Sequence, residues 1–119
     1  MPKFIIKIKV VNNGDQPIRT HVGASLVSSV NHIEYFNNAD DIDWTFQRGE
    51  NIIQRYLTSD LGPYGRYDLY VALWELEKPI GQGTKYASAV ASNAVEKKKK
   101  IIISLSMAVL DNYPKVFFA

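Results

Sequence analysis

The sequence predicts an all-β protein, an antiparallel β-sandwich of two sheets with about seven to nine strands. Three observations lead to this fold class. Apolar and polar residues alternate along many short segments, as they do in strands with one buried face. Clusters of Gly, Asn, Asp and Pro separate these segments roughly every ten residues. No segment has a convincing helical period.

The first half of the chain contains five of these segments. The first has lysines at its outer positions, as exposed and edge strands often do. The Asn13-Gly14 pair after it suits a turn with positive φ, and residues 48–51 predict another turn. The predicted strands cover residues 3–10, 18–28, 33–36, 42–47 and 52–57.

A long strand at residues 65–74, running on to about residue 76, is expected to be the centre of the fold. It follows a glycine-containing turn, and its two faces differ because successive side chains point to opposite sides of a strand. The apolar face is expected to meet the core. That face carries Tyr67, Leu69, Val71 and Leu73, and the mixed face carries Asp68, Tyr70, Ala72 and Trp74.

The C-terminal part supplies the remaining strands. Residues 86–95 are rich in Ala and Ser and suit a weak strand or a short helix, of which the strand fits the context better. Residues 101–109 alternate strongly, and residues 116–118 predict a last short strand. The side chains expected in the core include Phe4, Ile6, Ile8, Val22, Leu26, Trp44, Phe46, Tyr67, Leu69, Val71, Leu73, Ile103, Leu105 and Met107.

Three short motifs resemble those of known sandwich domains. Residues 10–15 (Val-Val-Asn-Asn-Gly-Asp) are similar to an opening Val-x-Asn-x-Gly turn, and residues 48–50 (Arg-Gly-Glu) to a polar-Gly-Glu turn. Residues 65–71 resemble a late Gly-x-Tyr-x-hydrophobic-x-Val strand. In order and spacing they resemble CARDB-type and related immunoglobulin-like or fibronectin-type domains. The resemblance implies an immunoglobulin-like fold and a non-catalytic adhesion, spacer or carbohydrate-associated role.

Composition limits the possible functions. At 119 residues and 46% hydrophobic content, the chain suits one domain, residues 1–119, with a buried core. It has no cysteine, so disulfides and thiolate zinc sites are excluded. A net charge of +2 gives no expectation of nucleic-acid binding, and no membrane span is expected. Without a signal peptide, localisation stays open: cytoplasmic for a whole protein, extracellular for a domain of an exported one.

Catalytic motifs are missing from the sequence. No Gly-x-Ser-x-Gly element is present, and neither His21 nor His32 lies in a recognisable motif. Residues 81–85 (Gly-Gln-Gly-Thr-Lys) match a phosphate-binding loop poorly and suit a glycine-rich hairpin. The sequence therefore predicts a protein that is not an enzyme and needs no cofactor.

An Asp-rich segment offers oxygen ligands of the kind that calcium binds. Its first candidates for metal ligands are Asn38, Asp41 and Asp43. The alternative, which the residue spacing favours, is a solvated turn in which Asn and Asp bend and cap the backbone.

Residues 97–100 form a run of four lysines. Such a run can contact nucleic acid or an anionic membrane surface. The favoured interpretation is a solvated turn that protects the apolar strand after it from aggregation.

Exposed aromatic residues are the candidates for ligand binding. Tyr70 and Trp74 share one face of the central strand, and Tyr64 lies in the loop before it. Such rings stack on sugars or anchor partner proteins, although a Trp on a central strand is often part of the core. The prediction is a non-enzymatic interaction or structural module with a protein partner. The alternative is a carbohydrate-binding module, and an enzyme or lipid carrier using a cavity between the sheets is a third possibility.

Self-association is also expected from the pattern. Residues 116–118 (Val-Phe-Phe) are apolar at a chain end, and an uncovered edge strand invites pairing with another molecule. A homo-oligomer formed through either feature is therefore a further hypothesis.

Overall fold

The computed structural model describes residues 3–98, 103–105 and 115–118, the last two ranges by their backbone alone. Nine strands and one short 3₁₀ helix, Asn38–Asp40, make up the regular structure of these residues. The strands are β1 (Lys3–Asn12), β2 (Ile18–Ser28), β3 (Glu34–Tyr35), β4 (Ile42–Phe46), β5 (Gly49–Thr58), β6 (Gly65–Trp74), β7 (Lys85–Lys97), β8 (Ile103–Leu105) and β9 (Lys115–Phe118).

The strands form two sheets that face each other as a β-sandwich. The smaller sheet has the order β5-β1-β9, and the larger has the order β3-β2-β6-β7-β8, with β4 also paired to β2. Every pair is antiparallel except β1 with β9. The predicted fold class is confirmed, and the Ala/Ser-rich segment is a strand, β7.

The core lies between the two sheets and is built by alternation. On β1 every second side chain from Phe4 to Val10 is buried, while the intervening ones face outward. The inward positions of β2 and β6 are buried too, and on β2 the outward-facing Gly23 and Ser25 are also buried. Burying this apolar surface is the main stabilising contribution to such a fold. The predicted core positions that are buried are Phe4, Ile6, Ile8, Val22, Leu26, Phe46, Tyr67, Leu69, Val71 and Leu73.

Trp44 is the exception among the predicted core residues. Its side chain is 45% exposed. It pairs in register with the buried Thr20, so it has the inward orientation that the alternation predicts. However, β4 is an edge strand, and Trp44 borders an open cleft with Asn51 and Ile52 of β5. The prediction was wrong because a sequence pattern gives the side of a strand but not the extent of the opposite sheet.

Two further predictions concern the turns and the C-terminal region. The turn predicted at residues 48–51 is shorter than expected, since β5 already begins at Gly49, whose φ is +87°. The core predictions for Ile103, Leu105 and Met107 lie outside the residues whose side chains are described. Strand β9, which contains the predicted association segment, pairs in parallel with residues Lys9–Asn12 of the same chain.

Tyr67 anchors the start of the central strand. Its side chain is fully buried, its hydroxyl donates a hydrogen bond to the carbonyl oxygen of Pro63 at 2.5 Å, and its ring meets that of Tyr35 edge to face. Burial raises the pKa of Tyr67, so the phenol stays protonated and able to donate. The loop before β6 is thereby fixed to the strand that follows it.

A buried ion pair connects the two sheets. Arg55 of β5 is only 3% exposed and donates from Nη2 to Oδ1 of Asp41, just before β4, at 2.7 Å. Burial lowers the pKa of Arg55, and it raises the pKa of Asp41 despite the opposing attraction of the guanidinium. Both partners therefore lose hydration on folding, and each compensates the other's buried charge.

The neighbouring residues join the same segment to the end of β5. The carboxylate of Asp40 accepts hydrogen bonds from the backbone N–H and the hydroxyl of Thr58, and Asn37 donates to that hydroxyl at 3.1 Å. Nη1 of Arg55 donates to the carbonyl oxygen of Tyr56 at 3.0 Å. Backbone groups at this end of an edge strand are thus already hydrogen-bonded.

We expect Tyr67→Phe to lower the free energy of unfolding by about 1–2 kcal/mol, because it leaves a carbonyl without its donor while keeping the ring. Chemical denaturation followed by tryptophan fluorescence measures the change. Tyr70→Phe is the matched control, since Tyr70 is on the opposite, exposed face of the same strand, and it should change stability by less than about 0.5 kcal/mol. Equal effects of the two substitutions would contradict this role for Tyr67.

We expect Asp41→Ala to destabilise the fold by about 3–5 kcal/mol, because it leaves the Arg55 guanidinium buried without its counter-charge. Asp41→Ala combined with Arg55→Leu should recover most of that loss, since an apolar side chain needs no partner. Urea denaturation of both variants provides the comparison. A double variant no more stable than the single one would show that the buried charge is not the cause.

Candidate functional site

A groove lies on the outer face of the larger sheet. Its floor consists of small residues, because Gly23 of β2 lies opposite Ala72 of β6, which in turn lies opposite Ser88 of β7. A row of small side chains across three neighbouring strands leaves a depression in a sheet surface. The groove has a volume of about 520 Å³.

Larger residues stand on both sides of this floor. Trp74 lies on one side and Tyr70 on the other, with Val90 beside Tyr70 on the neighbouring strand. The two aromatic residues are four positions apart on β6, which corresponds to about 13 Å along a strand. Tyr70 is 43% exposed, and Phe36, from the segment after β3, adds another exposed ring to the wall.

The loop between β6 and β7 closes the groove at the Trp74 side. A hydrogen bond from the N–H of Glu75 to the carbonyl oxygen of Thr84 closes the base of this loop. Ile80 in the loop lies over Gly23, where an added Cβ would be 3.4 Å from its Cγ2 atom and 3.7 Å from Nε1 of Trp74. Gly23 therefore lets the loop and the indole approach the sheet closely.

His21 holds this loop to the sheet. It lies between Asp43 of β4 and Trp74 of β6 in the pairing register. Its Nδ1 is 2.5 Å from Oδ1 of Asp43, and its Nε2 is 3.0 Å from the carbonyl oxygen of Lys78 in the loop. One side chain of β2 thus connects β4 with the groove-closing loop.

The ligand-binding residues predicted from the sequence divide into two groups. Tyr70 and Trp74 both line the groove. Tyr64 is 52% exposed but lies before the start of β6, at the opposite end from Trp74 of a ten-residue strand that spans about 33 Å. Its ring lies 5.4 Å from Nζ of Lys97. The structure therefore does not bring Tyr64 together with the other two.

Other groove residues were missed by the sequence analysis. Phe36 ends a short predicted strand and Ile80 lies in a predicted turn, and neither position indicates a site, so only the fold brings them to the sheet face. Gly23 did carry a signal, because a glycine inside a strand often marks a close approach of another segment.

The predicted metal ligands have other partners in the structure. Asp41 pairs with Arg55 and Asp43 with His21, while Asn38 lines the groove at the start of the 3₁₀ helix. Within residues 3–98 and the two short C-terminal ranges, no group of three or more His, Cys, Asp or Glu side chains is placed to hold a metal ion. The Asp-rich segment instead binds β5.

Lys97, the first residue of the lysine run, has a structural role. Nζ of Lys97 donates to the carbonyl oxygens of Leu61 and Gly62, at 3.2 and 2.8 Å. Lys98 is exposed, and Lys99 and Lys100 lie outside the described residues. Lys97 therefore helps to fix the loop before β6.

Comparisons of the chain with protein-family models, curated proteins and solved structures gave no match. No helix among the described residues is both long and apolar enough to cross a bilayer. The function must therefore be argued from the groove and its surroundings.

We expect His21→Ala to loosen the groove-closing loop, because it removes both hydrogen bonds of the ring. Hydrogen exchange of the Glu75 and Gln82 amides, which donate to the carbonyl oxygens of Thr84 and Pro79 in this loop, should accelerate about tenfold, while that of the central strands stays unchanged. His32→Asn is the control, since His32 has a φ of +59° in an exposed turn and Asn tolerates that conformation. Unchanged loop exchange in His21→Ala would contradict this role.

Proposed function

We propose that this protein is a non-enzymatic binding module that recognises a protein partner through the groove on the larger sheet. The single observation that carries the proposal is the floor of small residues between Trp74 and Tyr70. Concave sites with apolar walls and few polar groups are typical ligand sites. An adhesion or spacer role in a longer chain is compatible with such a site.

The chemistry of the walls favours a protein partner. Besides the two aromatic residues, the groove is lined by Phe36, Ile80 and Val90. Trp and Tyr are the residues that most often dominate binding energy at protein interfaces, and apolar neighbours exclude water around them. Aliphatic side chains of this kind satisfy no sugar hydroxyl.

The strand arrangement supports an immunoglobulin-type module. Strands β2, β6 and β7 are neighbours in one sheet, and the β1–β5 pair lies in the other, as in the C-F-G and B-E groupings of that fold. The hydrogen bond from Tyr67 to Pro63, near the start of β6, resembles the tyrosine corner of such domains. Modules of this architecture host many functions, so the groove carries the functional argument.

A carbohydrate ligand is the second candidate. Tyr70 and Trp74 offer aromatic rings of the kind that stack on sugars. Asn38 and Ser88 line the same groove and have groups that hydrogen-bond to hydroxyls. Ile80 and the indole both lie close to Gly23, and Nζ of Lys85 lies 5.7 Å from the centre of the indole ring, so Tyr70 is the more accessible of the two rings.

The two candidates are separated by screening the immobilised protein against a random linear peptide library displayed on phage and against a glycan panel. We expect peptides to be enriched. Trp74→Ala and Tyr70→Ala should each lower the affinity for an enriched peptide by about tenfold, which is the loss expected for a central anchor residue. Isothermal titration with a synthetic copy of that peptide gives the affinities.

Tyr64→Ala is the matched control, because it removes an equally exposed tyrosine far from the groove. It should leave the affinity unchanged, and circular dichroism should show that all three variants fold. Binding that is lost only in Tyr64→Ala, or that is seen only with glycans, would overturn the proposal of a protein partner.

A further inference from the structure

The two ends of the groove carry opposite charges. Glu34 of β3 lines one end, and Lys85 of β7 lines the other. In the order β3-β2-β6-β7 these strands are three steps apart, which corresponds to about 14 Å at the usual spacing. Glu34 lies level with Asp68 of β6, whereas Lys85 lies opposite Trp74, six residues further along, so the two positions are about 24 Å apart on a diagonal. The groove is therefore polarised along its length, from acidic at β3 to basic at β7.

Both charges are available to a ligand. Glu34 and Lys85 are exposed, and neither forms an ion pair with another residue of the described chain. The remaining charged lining residue, Asp41, is already paired with Arg55. In the closing loop, the carboxylate of Glu75 accepts a hydrogen bond from the N–H of Thr84. Glu34 and Lys85 are thus the charges that a bound segment would meet.

We propose that the groove binds an extended segment of a partner protein that lies diagonally across the strands, with a basic residue at Glu34 and an acidic residue at Lys85. An apolar residue between them occupies the floor between Tyr70 and Trp74. This inference rests on the proposed function and adds the sequence pattern of the partner. A length of about 24 Å corresponds to about seven residues of extended chain.

The open part of the floor suits the backbone of such a segment. Ile80 covers Gly23, but Ala72 and Ser88 have small side chains, so a peptide can approach the sheet there while its apolar residue contacts the aromatic walls. Charges at the two ends then determine which segments bind, because a wrong sign places like charges together. A neutral oligosaccharide has no charge for either end to select.

The test repeats the peptide selection with charge-reversed proteins. Wild type should enrich peptides with one basic and one acidic residue on either side of an apolar one. Glu34→Lys should enrich peptides that are acidic on both sides, and Lys85→Glu peptides that are basic on both sides. A peptide selected by wild type should bind either variant about fivefold more weakly at low salt, with a smaller difference at high salt.

Lys7→Glu and Glu50→Lys are the matched controls, since they reverse the same charges on strands β1 and β5 of the other sheet. Both should select the wild-type pattern. No enrichment by wild type would mean that the proposed function itself fails. Enrichment without a charge pattern, or with one pattern in all proteins, would overturn this inference and leave the proposed function standing.

Discussion

The pairing of Arg55 with Asp41 fixes the segment before β4 against the smaller sheet, and the rim of the groove depends on it. One partner belongs to the smaller sheet, and the other leads into β4 at the edge of the larger sheet. A buried charge without its counter-charge is strongly unfavourable, so the segment before β4 must stay next to β5. The bonds of Asp40 and Asn37 to Thr58 act on the same segment. That segment follows Phe36 and includes Asn38, so the ion pair also fixes one rim of the groove.

The groove itself follows from side-chain size at aligned positions. A pairing shift of one residue between β2 and β6 would turn Gly23 away from Ala72, because alternate residues face opposite sides. The same register that buries the core thus aligns the small residues outside it. His21 holds the loop that closes one side of the groove, through its contact with the carbonyl oxygen of Lys78. Core packing and site geometry are consequences of one pairing pattern.

Much of the fold could be predicted because alternation is a local property. The strand at residues 18–28 agrees with the structure at both ends, and the central strand begins at residue 65 as predicted but ends at Trp74 instead of about residue 76. The exposure of a side chain depends on the elements packed against it, which alternation does not specify. Alternation therefore predicts a core position for Trp44, although this residue borders an open cleft. Only part of the groove could be predicted from the sequence. Tyr70 and Trp74 share a strand face, whereas Phe36 and Ile80 reach the groove through turns whose paths depend on distant contacts.

The hydrogen bonds at the end of β5 have a consequence for the manner of recognition. Many sandwich proteins capture partners by adding a strand to a free edge, where backbone pairing provides affinity with little regard to sequence. Here the carbonyl oxygen of Tyr56 and the N–H of Thr58 are already bonded to side chains of the same chain. An added strand could not form backbone hydrogen bonds with these two groups. Strand addition is therefore disfavoured at this part of the edge, and the recognition that we propose uses side chains on the sheet face instead.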